Sequence, residues 1–245
     1  MTLTDWISCI VPLIFAGLIV WRWRQTKGSF WEAFGVTIDR RVPLECLVGF
    51  TIGGLAMFGI FGVEWALKFI RIDGLAAPGE DFWPWIVFLI IAALLEEVLS
   101  RSFILGGLVL FLKENKWLAV AISAAFFGLA HAANPNATII SVFGNALGGV
   151  MYAVAFLESG RVWLGWGLHF AWNFFQGPLL GFPVSGLTEG GSILQQVAVG
   201  PEIITGGAYG PEAGLVGMSF RFVVIALLYA WFSWEKKRPL VVNPQ

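Results

Sequence analysis

Leu94-Leu95-Glu96-Glu97-Val98-Leu99-Ser100-Arg101 sets three ionisable side chains in a long apolar run, with Phe82 to Leu95 before the first charge and Phe103 to Leu112 after the last. A charge at the centre of a hydrocarbon slab costs roughly 2.5–3.5 kcal/mol on insertion scales, so such a cluster marks a functional position. On a helix, Glu97 and Arg101 are four residues apart on one face, where they pair and partly neutralise each other. Glu96 projects about 100° away around the axis and lacks that partner. One glutamate therefore reads as structural and its neighbour as available for chemistry.

The rest of the chain fits a membrane setting. Of 245 residues, 58% are hydrophobic and 13% charged, about half the charged share usual in a soluble domain, and the mean hydropathy is +0.78. The composition predicts an all-α, polytopic transmembrane helical bundle, a single integral membrane domain over 1–245. A net charge of −1 without a basic face or arm excludes a nucleic-acid partner. Cys9 and Cys46 have no metal-ligand spacing and read as small apolar packing residues.

Seven segments read as spans, at about 6–21, 44–67, 82–112, 117–131, 137–157, 162–175 and 218–234. Arg22, Arg24 and Lys27 follow the first segment instead of preceding it, which predicts a spanning helix with its amino terminus outside and not a cleaved signal. The third segment has 31 residues, roughly 46 Å of helix. That exceeds a bilayer core of ~30 Å and calls for tilt or for a break near Gly106-Gly107. Gly49, Gly53, Gly54 and Gly59 in the second segment, and Gly144-x-x-x-Gly148 in the fifth, predict close helix approach. Glu64 and Lys68 read as an i,i+4 pair, and Asn145, Glu45 and Glu64 as packing or interface residues. Residues 178–217 hold 14 Gly or Pro and no Lys or Arg. They read as a long outer loop, re-entrant around Ile193 to Val199. Eleven of the 15 Lys and Arg fall in connectors on one side of this map, while Lys68, Arg71 and Arg221 fall on the other. The bias puts the carboxyl terminus in the cytoplasm and the chain in a cell inner membrane, multi-pass.

The two histidines, His131 and His169, both lie in hydrophobic segments, with Asn173 one turn beyond the second. Helical rise places Glu96 and His131 roughly 22–26 Å from the inner boundary and His169 about 12 Å from it. Tilting has to close that gap. Two carboxylates, two imidazoles and an amide around enclosed water suit hydrolysis, the glutamate as base and the imidazole and amide as oxyanion donors. A purely structural polar network, at 1–2 kcal/mol per hydrogen bond, needs no glutamate without a partner. Glu and neutral His are also acceptable zinc ligands, so a zinc-dependent protease using the same residues stays open, although His-Glu-x-x-His is absent. Ser185-Gly186 lacks the setting of a serine nucleophile. A proton-coupled carrier or a non-catalytic scaffold is the reading from another class, and the carrier lacks a paired inverted repeat.

Glu96-Glu97-x-x-x-Arg101, Phe127-x-x-x-His131 and His169-x-x-x-Asn173 resemble, in type, spacing and order, the motifs of the CPBP intramembrane proteases. That family includes type II CAAX prenyl endopeptidases and the bacteriocin-processing or self-immunity (Abi) proteins. Ser159-Gly160-Arg161-Val162-Trp163 is similar to the approach to the last motif. The resemblance covers about Phe82 to Asn173 and implies catalytic helices within 82–177. It implies Glu96 as the general base, His131 orienting water, His169 and Asn173 stabilising the oxyanion, and Glu97 with Arg101 supporting the pocket; catalysis without a cofactor is the expectation, with a divalent metal left open. The partners it implies are membrane lipid and a peptide or protein substrate, prenylated or otherwise membrane-associated.

Overall fold

The computed structural model describes residues 17, 19–26, 28–113 and 115–237. Most of the first expected span, about 6–21, lies outside them. The described residues form a bundle of α1 (Val42–Ala66), α2 (Phe82–Leu112), α3 (Lys116–Ala130), α4 (Ile139–Ser159), α5 (Trp163–Phe174) and α6 (Leu215–Lys237). Four of these, α1, α2, α4 and α6, are long and apolar enough to cross a membrane. By contrast, α3 with 15 residues and α5 with 12 rise only roughly 22 and 18 Å. Among the described residues, four helices of crossing length with two shorter ones are present, and the expected count of about seven spans is not confirmed. The short pair end early for local reasons: α3 stops ahead of the Asn134-Pro135 turn, and α5 starts late because Gly160, in the left-handed region at φ 69°, closes α4.

Close approach is concentrated where glycine permits it. α1 and α5 run parallel with their backbones nearly touching, Gly49 against Leu164 and Gly53 against Leu168 and Ala171. A side chain at Gly49 would overlap the Leu164 carbonyl. A core of Met57, Ile60, Met151, Leu168, Trp172 and Leu228 joins α1, α4, α5 and α6.

α2 is not uniform. It is α-helical to Glu97, π-helical over Val98–Leu105 and α-helical again from Gly106. The irregularity therefore sits on the ionisable motif itself, upstream of the expected Gly106-Gly107 break. A π turn loosens the regular backbone ladder and leaves carbonyls for other donors, a common feature of functional positions. Here Ser123 of α3 donates to the Ser100 carbonyl at 3.1 Å, and Ser102 donates to Phe34 at 2.5 Å.

The architecture is also not wholly helical. β1 (Ile70–Leu75) pairs antiparallel with β2 (Leu194–Ala198), Ile70 opposite Ala198 and Leu75 opposite Leu194, with an irregularity between Ile72 and Gly74. The stretch expected to re-enter the membrane is this second strand. Its alternating burial is the period-2 pattern of a strand with one face covered. The expected Glu64–Lys68 pair does not form. α1 ends at Ala66, and Lys68 takes a φ of 59° that leads the chain off the helix. Glu64 is left fully buried, with neither carboxylate oxygen hydrogen-bonded among the described residues.

At the other end of α1, Arg161 holds the α4–α5 turn. Its Nε donates to Glu45 at 2.9 Å, Nη1 to Asp39 at 2.8 Å, and Nη2 to Asp39 at 3.0 Å and to the Thr37 carbonyl at 2.9 Å. Glu45 is therefore an ion-pair partner across 116 residues of sequence, beyond its expected role at an interface.

Candidate active site

α2, α3 and α5 bring their polar side chains to one point. His131 caps the carboxyl end of α3, and its Nδ1 lies 2.8 Å from the Phe127 carbonyl one turn back. A carbonyl only accepts, so Nδ1 carries the hydrogen and Nε2 is left with its lone pair in the neutral ring. That Nε2 faces Glu96 Oε2 at 3.7 Å. His169 places Nδ1 3.1 Å from the acceptor Glu97 Oε1 and Nε2 3.9 Å from the same Glu96 oxygen. Glu96 Oε2 has no hydrogen-bond partner among the described residues, although 39% of the side chain is accessible.

Aromatic contacts fix both imidazoles. Tyr152 stacks on His169 at 4.5 Å between centroids, and Phe127 meets the His169 ring edge-on at 5.9 Å and the His131 ring at 4.8 Å. Phe127 thus packs between the two rings and contributes no polar group.

Glu97 lies behind His169, wholly buried, and faces Arg101 Nε at 3.4 Å, an ion pair without hydrogen-bond alignment. Room for the carboxylate exists because position 165 is glycine, where a Cβ would come within 3.0 Å of Glu97 Oε2. Arg101 is also fully buried. Its Nη1 reaches Ser123 Oγ at 3.4 Å, and its guanidinium lies over the rings of Phe127 at 4.9 Å and Tyr152 at 5.7 Å. Those π faces supply negative potential that offsets part of the desolvation of the cation.

The gap expected for His169 does not keep it from Glu96, 3.9 Å away: Arg161 is tied to Glu45 and Leu164 lies beside Gly49, which sets α5 against α1. Asn173, one turn past His169, is partly buried on the same cavity and makes no hydrogen bond to the described residues. That cavity has a volume of about 300 Å³ and combines the polar groups with apolar walls from Phe88, Leu89, Leu99 and Phe126. Among the described residues, no group of three or more His, Cys, Asp or Glu is placed to hold a metal ion.

A second polar wall escaped the sequence reading. Ser185, Asn145, Glu212 and Arg221 also line the cavity. Glu212 accepts from Gln176 Nε2 at 2.7 Å, from Ser185 N at 3.2 Å and from Ser185 Oγ at 3.1 Å. Asn145 Nδ2 donates to Tyr209 Oη at 2.6 Å, so it does more than pack. Burial, with Glu212 nearby, pushes the Tyr209 phenol up to about 12, which keeps it neutral. Arg221, counted as an outer-side charge from the sequence, is 2% exposed inside the bundle. Its signal was present, since an arginine inside the apolar stretch 218–234 meets the criterion that singled out Glu96. Ser185, Tyr209 and Glu212 sit in loop sequence with no periodicity to flag them.

No curated protein and no solved structure matches this chain. One family model does, described as Rce1-like, type II CAAX prenyl endopeptidase, over residues 77–175. The matched segment runs from just before α2 to the end of α5 and so contains Glu96, Glu97, Arg101, His131, His169 and Asn173. Over that segment the chain is similar to the type II CAAX prenyl endopeptidases, a family of peptide hydrolases, and four helices of the described residues are long and apolar enough to cross a membrane.

Proposed function

We propose that the protein is a glutamate-type intramembrane endopeptidase in which Glu96 activates water against a peptide bond of a membrane-associated substrate. The observation that carries this reading is the unpartnered Glu96 oxygen facing the Nε2 atoms of both histidines, at 3.7 and 3.9 Å. Separations just beyond hydrogen-bond length suit a water molecule held between the groups.

The chemistry follows from which atoms have hydrogens. His131 Nε2 accepts one hydrogen of the water while Glu96 accepts the other and removes it as the oxygen attacks the carbonyl carbon. The developing oxyanion accepts from the Asn173 amide and from His169 Nε2–H. Donation from Nε2 requires His169 to carry a hydrogen on both nitrogens, and Glu97, accepting from Nδ1, is the anion that balances that charge. Collapse of the intermediate breaks the C–N bond, and Glu96 returns its proton to the leaving amine. Arg101 supports the arrangement by holding Glu97.

The substrate approaches along lipid. Leu95, Leu99 and Phe126 are 62%, 42% and 46% exposed next to the site, an apolar mouth suited to a hydrophobic anchor, the prenyl group named by the matched family being one. The long connection 178–217 lies over the outer face, and the Lys- and Arg-rich end, with Lys236 and Lys237 in the last turn of α6, lies on the cytoplasmic side of the cell's inner membrane. The test is hydrolysis of an anchored reporter peptide by purified protein in vesicles. Glu96→Gln is expected to abolish turnover while leaving helix content and melting temperature unchanged; full turnover in this variant overturns the reading.

A further inference from the structure

Away from the catalytic cavity, a second hollow of about 370 Å³ lies between the helical residues 19–25, α2 and α3. Trp21, Phe103, Leu108, Phe111, Ile122 and Phe126 give it walls that are almost wholly apolar. The exception is Arg22, which is 5% exposed and lines the same hollow. Its Nη2 donates to the Ala33 carbonyl at 2.8 Å, whereas Nε and Nη1 are buried without a hydrogen-bond partner among the described residues. The seat is shaped for the guanidinium plate. Phe34 lies against one face, its ring centroid 4.5 Å from Cζ, and any side chain at Gly106 would overlap the guanidinium. Glu32, the acid beside Ala33 in sequence, is turned to Ser29 instead.

A purely structural tie between Arg22 and Ala33 uses one nitrogen of the guanidinium. It does not explain why the other donors are withdrawn from water beside apolar walls, where an unanswered charge is costly. An anion that carries its own apolar tail answers both the charge and the hollow. The bilayer supplies one in the phosphodiester of an acidic phospholipid, and guanidinium donors suit phosphate oxygens. Position agrees with this. Phe111, Ile122 and Phe126 are 73%, 42% and 46% exposed, so the hollow opens toward lipid. Arg24 and Lys113 stand two residues beyond Arg22 and Phe111, on the side that the Lys and Arg bias assigns to the cytoplasm. Basic pockets between helices on that side take acidic lipid headgroups. We infer that this hollow binds one anionic phospholipid, its phosphate on Nε and Nη1 of Arg22 and an acyl chain against Phe103, Leu108 and Phe126. A soluble anion would leave the apolar walls uncovered, and a neutral chain would leave Arg22 unanswered. Phe126 also walls the catalytic cavity, so one side chain separates the lipid from the site of Glu96.

The experiment titrates the delipidated full chain in neutral detergent with phosphatidylglycerol, phosphatidylcholine, diacylglycerol, glycerol 3-phosphate or farnesol, reading bound lipid by native mass spectrometry and the melting temperature. Wild type is expected to hold one phosphatidylglycerol and to melt about 5–10 °C higher once that lipid exceeds its Kd a hundredfold. The other four probes should bind at least about tenfold more weakly, each lacking the net charge, the phosphate or the tail. Arg22→Gln is expected to weaken phosphatidylglycerol by about ten- to a hundredfold, the worth of hydrogen bonds to a charged group, and Arg22→Lys to keep part of the affinity. Gly107 lines the hollow, and a Cβ there meets nothing within 4 Å. Gly107→Leu therefore fills the space with Arg22 intact and should also weaken binding; as a better helix former than glycine, it gives the answer if Arg22→Gln fails to fold. Arg24→Gln, at an exposed position, should change affinity by less than about twofold. Equal binding of phosphatidylcholine, diacylglycerol or farnesol would show that net charge selects nothing, and equal binding of glycerol 3-phosphate would make Arg22 a site for soluble anions. A loss in Arg24→Gln matching that in Arg22→Gln would reduce the effect to surface charge. Each of these results overturns the inference, as does an unchanged affinity in Gly107→Leu.

Discussion

Two charged clusters in this bundle are built to opposite rules. Around Arg161, Nε, Nη1 and Nη2 all have acceptors at 2.8–3.0 Å, from Glu45, Asp39 and Thr37, and both carboxylates are answered. Around Glu96, the nearest charged or titratable partners stand off at 3.7 and 3.9 Å, and behind them Glu97 and Arg101 keep polar atoms without hydrogen bonds. Buried polar groups are normally satisfied. The first cluster has the economy of a fastening, whereas the second retains unmade bonds at a site where a substrate and water would complete them. The contrast predicts that damage to one will be read mainly in chemistry and damage to the other mainly in stability.

The largest effect is expected at Glu96. Removing a general base typically forfeits about 10²–10⁴ in rate, so Glu96→Gln should lose at least that in kcat while its thermal unfolding in detergent stays that of wild type. If Glu45→Gln, the carboxylate from the satisfied cluster, produced an equal loss of kcat in folded protein, the distinction between the clusters would fail.

That division was only partly legible in the sequence. The Glu96-Glu97-x-x-x-Arg101 cluster announced itself because charges in an apolar run are rare and costly, and the spacings of Phe127, His131, His169 and Asn173 carried the rest of this wall. α1, α2, α4 and α6 could be read from unbroken hydropathy. Arg161 was read as a connector charge and as part of the stretch Ser159 to Trp163, but not as a fastening, since its partners Asp39 and Glu45 are more than a hundred residues away and no local period connects them. β1 and β2 were hidden for the same reason, as their pairing spans Ile70 to Ala198 and is fixed by tertiary folding. The π turn in α2 has no residue signature of its own, because its Ser102 and Ser123 contacts come from outside the helix.

The next largest effect lies behind the site. Arg101→Met strands Glu97 as an uncompensated buried charge next to His169, and breaking a buried pair on one side costs about 3–5 kcal/mol. The variant should unfold correspondingly earlier in denaturant. Adding Glu97→Gln to it should return much of that stability, since a neutral pair removes the stranded charge, although the His169 ring then loses its anionic partner and activity should stay low. A double variant as unstable as the single one would show that Arg101 acts through packing on Phe127 and Tyr152 alone.

Arg161→Met sharpens the comparison from the other direction. The cation sits at the rim, 13% exposed, with Asp39 39% exposed, so solvent screening trims each bond and the expected loss is about 1–2 kcal/mol. Turnover per folded molecule should be close to wild type, because α5 is still held against α1 by Gly49 and Gly53. A large drop in kcat with unchanged unfolding would mean that Arg161 sets the depth of His169 and belongs functionally with the site.

The smallest effect is a matter of pH. Hydrogen bonds from the Arg161 guanidinium, and then from the Arg41 backbone N–H, hold the Asp39 carboxyl below the usual carboxylate range. A depressed folded-state pKa means that the unfolded chain takes up its proton first as pH falls. The contribution of Asp39 is therefore fully present above the ordinary carboxylate value of about 3.9 and is lost as pH drops through that value and the lower folded one. The difference in melting temperature between wild type and Asp39→Asn should accordingly be small but constant through neutral pH and vanish in acid. A difference that persists unchanged at the acid end would show that Asp39 fastens Arg161 through hydrogen bonds which survive protonation, and that charge plays no part in this end of the bundle.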